Sequence, residues 1–191
     1  MSTLVFFLEE QSAAEMLKGL LPRIIPQCIT WKCFPFHGKS DLEKNLPGKL
    51  RKWRLPDTFF IILRDRDSSD CIIAKRRLSD LCKKSGQNNW LVRIACAELE
   101  SWYLGDLAAV EQGLGLNGLA RLQAKAKFRK PDDLQNASDE LTTLTNYKYD
   151  KISGSRNIGP HLSIELNSNR SYSFNIFLSA IRAAVSRLSD T

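Results

Sequence analysis

No run of apolar residues in this 191-residue chain approaches the roughly 18 that a membrane-spanning helix needs. The longest, at positions 4–8 and 59–63, are short enough to be single strands. The opening residues lack a basic leader, so neither a signal peptide nor a membrane anchor is expected, and no membrane partner. Cys28, Cys33, Cys71, Cys82 and Cys96 are scattered and odd in number. Cys28 and Cys33 have no matching pair, which leaves no zinc spacing and points to buried free thiols in a reducing, cytoplasmic setting. There is no GxxxxGKS or GxxxxGKT stretch, so any ATPase must act in trans. Internal repeats and low-complexity segments are absent too.

What is present suffices for one core. Hydrophobic residues make up 43% of the chain, and a chain of this length buries roughly 70% of its unfolded surface without staples. Basic residues outnumber acids 28 to 21, a net charge of +7. That balance favours a polyanionic partner or an anionic substrate. Lys39, Lys44, Lys49, Arg51, Lys52 and Arg54 form one group; Lys75, Arg76, Arg77, Lys83 and Lys84 a second; Arg121, Lys125, Lys127, Arg129 and Lys130 a third. Any one group reads as a solvated helix face. Three together point to nucleic acid.

TLVFFLEE opens with the continuous apolar pattern of a strand buried on both faces. Ser12 with Glu15 predicts a capping box and a helix carrying Ala14, Leu17 and Leu21 as far as Pro22. CITWKCFPF alternates and contains Pro35, the mark of a half-exposed edge strand. A basic turn with a short helix or two follows, then TFFIIL as a second fully buried strand. Residues 71–85 place Ala74, Leu78, Leu81 and Cys82 on one helical face. WLVRIAC is a further strand, and ELESWYLGDLAAVEQGLG starts a helix. This alternation predicts an α/β protein with a mostly parallel, Rossmann-like sheet flanked by helices. Residues 1–112 are expected to form that core, 113–170 a small helical and looped appendage, and 171–191 a C-terminal helix packing back on the core. Ser171 or Ser173 caps that helix, whose apolar stripe is Phe174, Phe177, Leu178, Ile181, Val185 and Leu188.

In open parallel sheets, reactive groups gather beyond the carboxyl ends of the strands. Here the first strand ends in Glu9 and Glu10, the third in Asp65-Arg66-Asp67, and the fourth leads into Glu98 and Glu100. Asp65 and Asp67, two apart on an extended segment, face one way, while Arg64 and Arg66 point elsewhere. Carboxylates gathered so closely repel one another without a cation. Mg²⁺ (or Mn²⁺) answers this, binding through one or two carboxylates and keeping waters for substrate phosphate. The arginines and lysines around the acids would hold the anionic backbone. Plainer readings stand beside each: Asp67 and Asp70 as caps of the next helix, Glu98 and Glu100 as first-turn acids, Glu10 paired with a surface lysine. Lys39, in HGKSD, is a candidate for neutralising transition-state charge and His37 for moving a proton, against a solvated loop as the plainer case. His161 has less to recommend it.

FFLEE, ILRDRDSSDC, RIACAELESWYLGD and NSNRSYSF resemble an uncharacterised bacterial family with a TOPRIM-like fold, related to domains of OLD-type nucleases, topoisomerases and primases. The resemblance runs from about residue 3 to 182. It implies that Glu9 or Glu10, with Glu10 preferred, serves proton transfer, and that Asp65 and Asp67 hold Mg²⁺. Glu98 and Glu100 match the acids that OLD-type nucleases add after a further strand. It also implies an AAA- or ABC-type ATPase partner and a part in phage defence or DNA maintenance. Gln11 stands where TOPRIM domains carry glycine after the glutamate, and no tyrosine sits in a topoisomerase context, so strand passage is not implied. Asn169 and Ser171 of NRSYSF are expected to fix the loop before the last helix.

The leading expectation is therefore a Mg²⁺-dependent phosphodiesterase cutting DNA or RNA, with Glu9, Glu10 and Lys39 as catalytic candidates and Glu10, Asp65, Asp67, Glu98 and Glu100 as metal candidates. The alternative is a non-catalytic TOPRIM-like subunit that recognises nucleic acid or a partner ATPase. A metal-dependent transferase or phosphatase acting on small molecules is third, weakened by the missing Gly-rich phosphate loop.

Overall fold

The two continuous apolar runs become central strands because both of their faces are covered. In the computed structural model, which describes residues 2–66 and 70–189, β1 (Thr3–Leu8) lies between β2 (Thr30–Pro35) and β3 (Thr58–Asp65). β4 (Trp90–Ala95) follows beyond β3, giving the order 2-1-3-4 with every neighbouring pair parallel. Register sets Leu4 beside Phe59, Phe6 beside Ile61 and Leu8 beside Leu63. These six enter one core, while Val5, Phe7, Phe60 and Ile62 enter a second core on the opposite face.

α2 (Lys39–Lys52) and α3 (Cys71–Lys83) cover the second face through Leu42, Leu46, Leu50, Ala74, Leu78 and Cys82. α1 (Gln11–Leu20) and α8 (Tyr172–Ser189) cover the first. The same first core takes in α4 (Glu100–Leu104), α5 (Leu107–Gly113), α6 (Ala137–Leu144) and α7 (Lys151–Ile158), with short 3-10 turns between them. The expected α/β class, with a parallel sheet flanked by helices and helices at the C-terminal end, is what the chain forms. β2 is an edge strand, as its alternation and Pro35 suggest. On the other edge, Arg93 donates to the Val92 carbonyl at 2.9 Å and the Cys96 N–H donates to Ser173 Oγ at 3.2 Å. Outward backbone groups of β4 are thereby partly satisfied, one way of blunting an open edge.

Local expectations differ from the structure at four places. The basic segment after β2 is one 14-residue helix that accommodates Pro47. The helix expected from Glu98 is broken at Gly105. A side chain there would collide with Asn169 Oδ1, and Asn169 is tied by its amide to the Trp102 carbonyl at 2.8 Å. Asn169 and Ser171 do hold the entry to the last helix, Ser171 Oγ accepting from the Phe174 N–H at 3.1 Å. Of the cysteines only Cys82 is buried, and Cys28 is exposed.

The fourth difference is the start of α1. Ser12 does not cap it: the helix begins at Gln11, Glu10 holds the cap position without a side-chain hydrogen bond, and Ser12 is buried. Glu15 instead accepts from Lys18, Gln11 and Arg156, tying α1 to α7. Lys18 and then Arg156 pull its carboxyl down to about 2. Both cations are more than half exposed, so screening limits the contribution to about 1 kcal/mol. Because the folded-state pKa is depressed, that stability is present above pH 4.5 and is lost as pH falls towards 2. Glu15→Gln is therefore expected to melt lower than wild type at pH 7, with the two curves converging near pH 2. A gap that persists at pH 2 would assign the difference to packing.

Candidate functional site

β1 ends beside β3, so Glu9 and Glu10 leave the sheet next to Arg64 and Asp65. Glu9 is buried. The Asp65 N–H donates to its Oε2 at 3.1 Å, and Arg64 Nε stands 3.6 Å from the same oxygen. Arg64, only 1% exposed, also donates to Glu43 Oε1 at 3.0 Å, and Arg77 reaches Glu43 Oε2 at 2.7 Å. This corrects one expectation: Arg64 is a buried brace between β3, α2 and Glu9, and not an exposed cation available to an anionic backbone.

Asp65 is half-buried at the last position of β3. Burial, then the charges of Glu100 and Glu9, push its carboxyl well above the usual range. Glu100 opens α4 and is wholly buried. Its Oε1 accepts from the Tyr149 hydroxyl at 2.9 Å, while its Oε2 is buried with no hydrogen-bond partner among the described residues. Burial raises this carboxyl too, opposed by Lys151 and by the Tyr149 hydrogen bond. Tyr103 packs edge-on against Tyr149 with centroids 6.0 Å apart and donates to Ser155 at 2.8 Å.

Lys151, the first residue of α7, stands 3.1 Å from Glu10 Oε2. Burial works against its charge, but Glu100, Glu10 and Asp65 outweigh that penalty and raise its pKa. Glu10 and Lys151, with His37, Gly38 and the buried Ser12, line a cavity of about 350 Å³. α7 reaches this point because Gly159 at its end lets it close on α1; a Cβ there would stand 2.4 Å from the Met16 carbonyl oxygen.

Glu9, Asp65 and Glu100 thus share one electrostatic cluster, with Glu10 and Lys151 at its rim. Asp67 lies outside the described residues. Glu98 is near Glu100, but its Oε2 accepts from the Ser138 N–H at 2.8 Å at the start of α6. Lys39 is half-exposed at the first position of α2 and forms no ion pair among the described residues. His37 donates its backbone N–H to Asp41 at 3.0 Å, and His161 is exposed in a 3-10 turn. Asp70 caps α3, accepting from Ile72 and Ile73, as its plainer reading had it. Among the described residues no three of His, Cys, Asp and Glu are grouped so as to hold one metal ion, and no helix is long and apolar enough to cross a membrane.

Sequence reasoning missed Lys151, Tyr149 and Tyr103. Tyr149 and Lys151 lie far from the strand ends along the chain and enter only through packing at the start of α7; Tyr103 stands three residues after Glu100, on α4. The one signal was Asp150 before Lys151: it marks the start of a helix without saying where that helix docks.

By fold and site, the molecule is an all-parallel α/β protein with a buried acidic cluster at the carboxyl edge of its sheet. Residues 8–182 match the family described as "Domain of unknown function (DUF4276)", and the chain belongs to that family. No curated protein and no solved structure matches it.

Proposed function

We propose that this chain is a TOPRIM-like, Mg²⁺- or Mn²⁺-dependent phosphodiesterase acting on nucleic acid. The observation that carries the reading is the convergence of Glu9, Asp65 and Glu100 from three different strand ends, close enough that Glu100 and Glu9 both raise the Asp65 carboxyl. Such mutual repulsion is relieved by a proton, by Lys151 or by a hard cation. The donors are all oxygen, and Glu100 keeps one buried oxygen with no partner among the described residues, which suits Mg²⁺. That no three acids are grouped among the described residues is compatible with this ion, which takes one or two carboxylates and completes its shell with water.

Asp65 and Glu100 would hold the ion, and Asp67 and Glu98 remain the further candidates that the sequence offers. When bound, the ion supplies charge neutralisation at the phosphate and a more acidic water. Glu9, braced by Arg64 and the Asp65 N–H, fixes the cluster. Glu10, at the cavity rim, takes the proton of the attacking water, and Lys151 beside it offsets charge on the phosphate oxygens. The basic groups on α2 and α3 lie on one face of the sheet, and their exposed lysines and arginines would track a phosphate backbone.

A second reading has its own observation. Lys151 already sits against the acids, and Ile72, Ile73 and Tyr172 are each at least 66% exposed, as a partner-binding subunit would need. Calorimetric titration with Mg²⁺ and Mn²⁺, followed by incubation with plasmid and with RNA, separates the two. Metal binding with cleavage supports the phosphodiesterase. Metal-free binding of nucleic acid, with an affinity that falls steeply with salt, supports the subunit. Absence of metal binding sinks the leading reading.

A further inference from the structure

Cys71 and Cys96 come from separate elements 25 residues apart, yet their sulfurs stand 2.7 Å from each other. Cys71 is the first residue of α3, and Cys96 follows the last residue of β4. Both are half-buried and unbridged. Both line a largely apolar groove of about 230 Å³, together with Ile72, Lys75, Tyr172 and Ile176. That groove admits a small oxidant. The other three cysteines have no such partner: Cys82 is buried, Cys28 is exposed, and Cys33 lies on β2 at the far edge of the sheet.

We propose that Cys71 and Cys96 are a reversible redox pair that closes to a disulfide under a peroxide and reopens under a dithiol. The Cys71 thiolate attacks one peroxide oxygen. The O–O bond breaks, and hydroxide leaves as water, giving a sulfenic acid. The Cys96 sulfur then attacks the Cys71 sulfur and displaces the hydroxyl as a second water, its own proton leaving with it. Overall, two thiols and one hydrogen peroxide give one disulfide and two waters. The two sulfurs lose the two electrons that the peroxide gains. Closing the bond requires the sulfurs to approach by about 0.7 Å, a side-chain movement. Its consequence is a covalent tie between the start of α3 and the end of β4, which pairs with Asp65 through Ala95 and leads into Glu98 and Glu100. The pair stands whether or not those acids hold a metal.

The test uses the full chain, fully reduced, treated with a small excess of hydrogen peroxide, alkylated and digested without reductant for mass spectrometry. A peptide linking Cys71 to Cys96 is expected as the main product, at least about tenfold over any link to Cys28, because proximity makes the closure intramolecular. Dithiothreitol should abolish it. In Cys96→Ser, shown by its circular dichroism to be folded, dimedone should instead trap Cys71 as its sulfenic acid. Full alkylation of both cysteines after peroxide, or independent sulfinic acids at each with no link, overturns the proposal.

Discussion

Asp65→Asn is expected to abolish Mg²⁺ and Mn²⁺ binding and to lower metal-dependent cleavage by at least about a thousandfold, several kcal/mol of transition-state stabilisation. In the absence of metal the same substitution should raise the melting temperature. The reason lies in the sign of the shift. Burial, Glu100 and Glu9 raise the folded-state pKa of Asp65 above its unfolded value. The group's contribution is then most favourable below the unfolded pKa of 3.8 and is lost as pH rises through the folded one. Glu100 behaves in the same direction for the same first cause, burial. At neutral pH the metal-free protein therefore bears a cost at this position, either a carboxylate its surroundings resist or a proton taken up on folding, and an amide of similar shape removes it. Each kcal/mol recovered is worth about 2–4 °C in a chain of this size. Metal should reverse the ranking: an ion at a hundred times its dissociation constant stabilises the wild type by about 2.7 kcal/mol and leaves the variant unchanged. Thermal melts of both proteins from pH 5 to 8, with and without Mg²⁺, read the whole pattern. A variant that melts lower than wild type without metal would make Asp65 a structural acid.

Arg64→Ala carries the largest expected loss of stability, about 3–5 kcal/mol, the usual cost of leaving buried ionic partners uncompensated. Arg64 is 1% exposed and stands between Glu9 at 3.6 Å and Glu43 at 3.0 Å. Removing it takes the buried cation from beside two acids whose side chains are 11% and 10% exposed and leaves a cavity beneath α2. Arg77 cannot take over, because it reaches Glu43 from the solvent side, with its own side chain 65% exposed. A fall in melting temperature of about 10 °C follows. Arg77→Ala, by contrast, removes only an exposed partner and should cost no more than about 1 kcal/mol. Chemical denaturation of the two variants side by side measures the difference, and equal losses would show that Arg64 acts through bulk and not through charge. Arg64→Met distinguishes these further, since it fills most of the space without the guanidinium.

The two predictions concern adjacent residues of one strand with opposite expected effects on stability. β3 runs out of the apolar core into a region where Arg64 turns towards α2 and Asp65 towards Glu100. Strand alternation sends the two side chains to opposite faces. On one face a cation meets two acids and stabilises the fold; on the other an acid meets acids and strains it. That strain is held in place by Tyr149, the Leu99 backbone and the surrounding core, and relieving it is the part the proposed cation would play.

The amino-acid sequence by itself determined the sheet. Apolar runs at 4–8 and 59–63 have only one stable use, as strands covered on both faces, and the helical stripe ending in Leu188 has only one face to bury. Period and run length are local, so they are legible without a partner. The sequence also placed Glu9, Glu10, Asp65 and Glu100 at strand ends, because the carboxyl edge of a parallel sheet follows from strand order alone. Tertiary structure decided what those acids meet. Whether Glu15 caps its own helix or clasps α7, whether Arg64 faces a ligand or Glu43, and whether Lys151 enters the acidic cluster all depend on how segments more than twenty residues apart pack. Helix docking is set by shape, such as the room Gly159 leaves at Met16, and charge pairing follows from that docking. The Cys71–Cys96 contact belongs to the same class: their spacing along the chain carries no signal, and only the closing of α3 against β4 brings the two sulfurs together.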